Sequence, residues 1–263
     1  MPYIIGAVIP HFGDGAKVDA LMTAIKAQSH LPDMQMTVHV VDSNPPNQRN
    51  LFTSAVNLGI QHALNANASA IWVINDDCIP ARDCISCGIG KLISEPRIGI
   101  VASRNLHPSD PDRITWGGSG ECWPSGRHIV GLVSEGACAV ASRQEWVSFA
   151  SVFLRRDMVL ELGMLDPFLQ HICSDADYCL RARASNWEVW YEPTSTVMHP
   201  FHSSHGAGTP AWMKYIMHLD QKRFGKKYGF STPDKKPDPN YRRITPEDFG
   251  NRTIPPTAAG SAE

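Results

Sequence analysis

The sequence predicts an α/β protein built on a doubly wound, mostly parallel sheet, and three observations carry that expectation. Four short apolar runs of strand length stand at residues 3–9 (YIIGAVI), 37–41 (TVHVV), 70–74 (AIWVI) and 98–102 (IGIVA). Helical patterns separate them: Val18, Leu21, Met22 and Ile25 recur at i, i+3, i+4 and i+7, then Leu51, Ala55, Leu58 and Leu64, then Ile85, Ile89 and Leu92. Each of the first three runs ends in polar residues: Pro10-His11-Phe12, Asp42-Ser43-Asn44 and Asn75-Asp76-Asp77. Four strands joined by three crossover helices give parallel, right-handed connections. In such a sheet ligands bind outside the carboxyl ends of the strands, so those polar residues are the first candidates for a site.

The remaining elements follow in order. Residues 114–138 are rich in Gly and Trp and read as loops and short antiparallel strands. A short helix over 155–162 ends at Gly163, a turn follows at Asp166-Pro167, and a second helix covers 176–184. Two short strands, 187–191 and 196–199, are separated by Pro193. A His- and Gly-containing loop leads to a helix over 211–228, and the proline-rich end, Pro233 to Pro256, reads as an extended or partly disordered tail. The expected division is 1–209 for the α/β domain and 210–263 for the helix and tail.

Composition narrows the function. The chain has 263 residues, 43% of them hydrophobic, enough to bury roughly 70% of the unfolded surface. With 24 basic against 26 acidic residues there is no broad cationic field for nucleic acid. No apolar run approaches the roughly 20 residues of a spanning helix, and the N-terminus lacks a basic lead-in and a cleavage-like site. Seven scattered cysteines fit reduced thiols better than a disulfide framework or a zinc site, so a cytoplasmic protein is expected. The basic, amphipathic helix at 211–228 packs on the domain or rests on an anionic membrane, packing being favoured.

Three elements carry chemistry. Adjacent carboxylates at Asp76 and Asp77 repel unless a cation or ligand shares them; a divalent metal is the economical explanation, and plain helix capping the competing one. No GxGxxG or GxxxxGK[ST] follows the first strand, so a metal would supply the missing grip on phosphate. In Ser174-Asp175-Ala176-Asp177, Ser174 and Asp177 have capping-box spacing and Asp177 can pair with Arg181, which leaves Asp175 as a candidate base. His199 closes the last strand, with His202 and His205 beyond it, and the aromatics between Trp116 and Trp123 pack a hairpin or stack on an acceptor.

Together these elements resemble the family 2 glycosyltransferases of the GT-A fold. VVDSN resembles that family's nucleotide-binding Asp, Asn57-Leu58-Gly59-Ile60 its NxG helix motif, and INDDCIP its DxD loop. SVFLRRDMVLELGMLDPFL resembles the stretch before the acid motif, and SDADYCLRARASNWEVWYEPTSTVMH the acid helix through its terminal His. The likeness runs from about Ile4 to His205, and its acid region is similar to that of actinobacterial galactofuranosyltransferases.

The resemblance implies a nucleoside diphosphate sugar donor, with uridine as the expected base, and Mn2+ or Mg2+ on the diphosphate. It implies Asp77 and His199 as metal ligands and Asp175 as catalytic base. It further implies nucleotide-sugar contacts from Pro10, Asp42, Arg49, Asn57, Asn75 and Asp76. Asn75 stands where the family has the first acid of DxD, and Ser174 replaces a common acid. One base suffices for a single displacement with inversion, and no element nominates the second carboxylate that a retaining double displacement needs. The loop after His199 is expected to close over the donor. The alternatives are a nucleotidyltransferase and a non-catalytic nucleotide-sugar-binding module. The acceptor, whether glycan, lipid, protein or modified nucleic acid, is not legible.

Overall fold

The sheet is built around β1 (Tyr3–His11), which pairs in parallel with β2 (Met34–Asp42) on one side and β3 (Ala70–Ile74) on the other. This is a computed structural model, and it describes residues 2–13, 15–29, 31, 33–43, 51–119, 131–132, 138–200 and 209–229. The chain leaves β1 through α1 (Gly15–Lys26) to the edge strand β2, then crosses back through α2 (Phe52–Asn65) to β3. That reversal opens a crevice at the carboxyl ends of β1 and β3, where open α/β sheets bind ligands.

Beyond β3 come the two-residue strand β4 (Ile79–Pro80), α3 (Cys84–Ser94), β5 (Ile98–His107), β6 (Asp110–Trp116), β7 (Gly131–Leu132), β8 (Ser142–Arg143) and β9 (Ser151–Arg155). Helix α4 (Arg156–Leu162) follows directly, then α5 (Ser174–Ala184), β10 (Glu188–Met198) and α6 (Ala211–Tyr228). The main path of the sheet is β2-β1-β3-β9-β5-β10-β4. Strand β9 lies antiparallel between β3 and β5, so the fourth predicted strand is not the neighbour of the third. The five-residue run SVFLR passes directly into α4, so its strand signal is absorbed into the helical pattern that follows.

Each face of the sheet carries its own core. Alternate residues of β3 divide between them: Ile71 and Val73 face α2, α4, α5 and α6, whereas Ala70, Trp72 and Ile74 face α1 and α3. Trp72 and Phe153 are cross-strand partners with parallel rings, centroids 5.5 Å apart. Gly59 of α2 sits so close to β1 that a Cβ there would lie 2.2 Å from Val8 Cγ1. Glycine at that position is therefore a packing requirement.

Two sequence expectations change. The strands predicted on either side of Pro193 form one strand, β10, whose pairing with β5 breaks after Glu192 and resumes at Thr196. Glu192 accepts the Thr194 N–H at 3.0 Å, so the proline sits in a bulge and costs no ladder hydrogen bond. The capping box at Ser174 does not form, because Asp177 turns inward instead: it accepts bonds from Arg181 Nε at 2.9 Å and Tyr228 Oη at 2.6 Å. Phe224 and Tyr228 bury the inner face of α6 in the core, which is the packing expected of this helix. Among the described residues no helix is long and apolar enough to cross a membrane.

Candidate functional site

A cavity of about 320 Å³ occupies the crevice where the strand order reverses. Pro10, His11 and Phe12 reach it from β1, Ser43 from the end of β2, and Asn75, Asp76 and Asp77 from the loop after β3. Phe52 and Ala55 of α2 and Trp212 and Met213 of α6 supply its apolar wall, and Lys17 and His171 complete the polar side. A mostly apolar cleft with a few convergent polar groups is what a small-molecule site requires.

The neighbouring carboxylates do not share one partner; they diverge. Asp76 Oδ2 is 2.7 Å from His11 Nδ1 and accepts the Phe12 N–H at 3.1 Å, which fixes the loop after β3 to the end of β1. Asp77 Oδ1 faces His199 Nε2 at 3.4 Å. Sheet register makes this second meeting: β4 pairs antiparallel with β10, Ile79 opposite Met198, so the residues just outside each strand end are brought together. Asn75 Oδ1 is buried with no hydrogen-bond partner among the described residues, and His199 Nε2 is buried opposite Asp77.

Ligand atoms of Asp77, Cys78 and His199 lie within 4.8 Å of one another. Burial, followed by the charge of Asp77, pushes the Cys78 thiol well up, and its Sγ donates to Ala150 O at 3.3 Å. With the Cys78 thiol engaged at Ala150 O, Asp77 and His199 offer one carboxylate oxygen and one imidazole nitrogen as donors. That pair, with ligand oxygens completing the shell, suits Mn2+ or Mg2+ and is too few for a closed zinc site.

Asp175 is the second residue of α5, which begins directly after Cys173, a non-glycine residue held at φ 64°. Burial pushes its carboxyl up to about 6, against the opposing pull of the backbone amides of Ala176, Asp175 itself and Phe149. The Ala176 N–H donates to Oδ1 at 2.8 Å. The next residue of the Phe149 segment, Ala150, accepts the Asn75 N–H at 2.9 Å as well as the Cys78 thiol. One short segment therefore supports both the base candidate and the acidic loop.

The predicted residues divide. Pro10, Asn75, Asp76 and Asp77 line the cavity, while Asp42 lies exposed at its edge with Ser43 facing in. Asn57 is not among the lining residues: Nδ2 donates to Leu165 O and Oδ1 accepts Leu165 N–H, both at 2.9 Å, so its amide locks the chain before α5. Arg49, Trp123, His202, His205 and the proline-rich tail lie outside the described residues. Trp116 is buried and bonds Ser119 Oγ through Nε1, which makes it packing and removes it as an acceptor platform. The sequence reading missed Lys17, His171, Trp212 and Met213. The available signal for Lys17 was its place in the first turn of the helix that follows β1; Trp212 and Met213 had none, because only the docking of α6 brings them to the cavity.

No family model and no curated protein matches the chain. Among solved structures, GalNAc-T7 with UDP, GalNAc and Mn2+ aligns with a TM-score of 0.62 at 12% identity, over 86% of this chain and 48% of that one. This chain thus spans about half the length of the GalNAc-T7 chain. A mannosyltransferase, PcManGT from Pyrobaculum calidifontis in complex with GDP-Man and Mn2+, aligns with a TM-score of 0.49 at 15% identity, over 84% of this chain and 69% of that one. The likeness to GalNAc-T7 shows the fold, the GT-A type of glycosyltransferases.

Proposed function

We propose that the protein is an inverting family 2 glycosyltransferase that moves a sugar from a nucleoside diphosphate sugar, with uridine as the base, to an acceptor hydroxyl. The observation that supports this most is the pairing of Asp77 with His199 beside a nucleotide-sized crevice, in a fold shared with a protein crystallised with UDP and Mn2+. In this reading Asp77 and His199 hold Mn2+ or Mg2+, with Asn75 offering its orphaned carbonyl oxygen nearby. The metal would neutralise the charge that develops on the departing diphosphate.

The protein's own groups perform the rest. Pro10 and Ser43 line the end of the crevice assigned to the nucleoside, and the same reading gives Asp42 and Arg49 nucleotide contacts. Asp76 holds β1 and the acidic loop in one geometry through His11. Asp175 takes the proton from the acceptor hydroxyl as that oxygen attacks the anomeric carbon. A carboxylate near 6 is roughly nine-tenths ionised at pH 7 yet more basic than an ordinary Asp, the compromise a general base needs. A cytoplasmic location, read from the scattered cysteines of the sequence, belongs to the same proposal.

Binding and turnover of a panel of nucleotide sugars, measured with Mn2+, Mg2+ or chelator, test the assignment. Metal-dependent UDP binding that weakens in Asp77→Ala and His199→Ala, with turnover lost in Asp175→Asn, is the expected result. Nucleotide binding that is indifferent to metal and to both substitutions would overturn it.

A further inference from the structure

Asp220, in the middle of α6, is fully buried, and its carboxylate accepts three consecutive backbone amides. Gln170 N–H reaches Oδ1 at 3.0 Å, and His171 N–H and Ile172 N–H reach Oδ2 at 2.7 and 3.1 Å. Arg223 lies 3.7 Å from Oδ1 and donates to Phe168 O at 2.7 Å. Docking α6 does not require this arrangement, since Phe224 and Tyr228 already bury its inner face, and a buried carboxylate is costly unless fully bonded. Three donors on one side chain need two acceptor oxygens on a short stem, which Asn and Ala lack and Glu misplaces.

The location of the clamp gives it a purpose. The three amides end one residue before Cys173, whose left-handed φ turns the chain into α5 and presents Asp175. Thr53 holds the same loop from the other side, its hydroxyl donating to Leu169 O and its N–H to Gln170 O at 3.1 Å. Thr53 follows Phe52 of the cavity wall, α6 itself contributes Trp212 and Met213, and His171 lies within the clamped loop. Donor cavity and base candidate therefore meet at residues 169–173.

We propose that Asp220 is a positioning residue: by fixing the amides of residues 170–172 it sets His171 in the cavity wall and sets the direction in which α5 presents Asp175. The inference rests on the reading of Asp175 as general base. Helix α6 is then a working part of the site, acting through the loop that Asp220 holds.

The test compares wild type, Asp220→Asn, Asp220→Glu and Phe224→Leu, the last weakening α6 packing without touching the clamp. Amide hydrogen exchange is read over 169–177 and over β1, β3 and β5, together with kcat and KM for donor turnover across pH 5–9. Both Asp220 variants are expected to raise exchange at 170–176 and lower kcat by about 10- to 100-fold, with UDP-Mn2+ affinity changed by less than about threefold. The acid limb of kcat should shift in them and not in Phe224→Leu, whose loss should follow only its unfolded fraction. Wild-type protection at 170–176 and wild-type kcat in the Asp220 variants would overturn the proposal. So would a kcat loss matching that of Phe224→Leu with an unmoved pH profile. If wild type turns over no nucleotide sugar, the enzymatic reading fails; the exchange comparison, which needs no activity, then decides whether Asp220 sets the loop.

Discussion

Asp175 and Asn75 are anchored to adjacent residues: the Phe149 amide faces the Asp175 carboxylate, and the Ala150 carbonyl accepts the Asn75 N–H at 2.9 Å. Phe149 and Ala150 are themselves buried and lead into β9, wedged between β3 and β5. The spacing between a base candidate on α5 and a metal candidate after β3 is thus set by two residues of rigid backbone. Sites built this way hold geometry better than sites shared between free loops.

The raised carboxyl of Asp175 has opposite consequences for activity and stability. Its folded value, about 6, lies above the ordinary 3.8, so the folded state binds the proton more tightly and ionisation penalises folding. The penalty is absent below about pH 4, grows as pH rises and is complete above about pH 6. Asp175→Asn should therefore stabilise the protein by about 1–3 kcal/mol at pH 7.5 and by almost nothing at pH 4, read from denaturant midpoints. The same substitution should cut turnover by about 10²- to 10⁴-fold, and wild-type kcat should fall as pH drops through about 6.

Asn75→Asp should strengthen metal binding. It places a further charge next to the Asp77 site, where the amide oxygen now has no hydrogen-bond partner among the described residues. Mn2+ titration calorimetry in the presence of UDP should show affinity raised by roughly tenfold, and without metal the variant should be less stable than wild type because like charges then face each other.

Asn57 and Gly59 are expected to report on packing alone. Asn57→Ala removes two hydrogen bonds to Leu165 and should cost about 1–3 kcal/mol, with UDP affinity per folded molecule unchanged. Gly59→Ala drives a methyl into Val8 and should cost a similar amount or more. A large loss of nucleotide affinity in folded Asn57→Ala would restore the nucleotide contact read from the sequence.

Arg181 links three elements and should be intolerant of substitution. It pairs with buried Asp177 and donates to Leu162 O at 3.1 Å and Met164 O at 2.9 Å, closing the end of α4. Arg181→Met strands part of a buried charge and should destabilise by about 2–4 kcal/mol in urea unfolding, less than full exposure of the charge because Tyr228 and Lys227 still face Asp177.

Local patterns made the α/β frame legible. The 3.6-residue spacing of Leu21 and Ile25, or of Ile85, Ile89 and Leu92, marks the faces that are in fact buried. What escaped depended on contacts distant in sequence. β9 is a strand because β3 and β5 leave a slot for it, and β10 runs through Pro193 because a bulge accommodates the ring. At the site, the polar ends of β1 and β3 could be read as candidates, yet the pairing of Asp76 with His11 across 65 residues could not. The bonds of Asn57 to Leu165 escaped for a related reason: a motif gives residue types, and only packing shows which partner within the chain they meet.

Strand β9 also orders the assembly of the protein in time. It is synthesised after both strands that it joins, so β3 and β5 keep open edges until residue 155 has been made. A nascent chain shorter than that holds two partial sheets with no bond between them along these edges, and such edges template aggregation. Fragments ending before Ser151 should accumulate as insoluble material, whereas a fragment reaching Arg155 can already close the centre of the sheet.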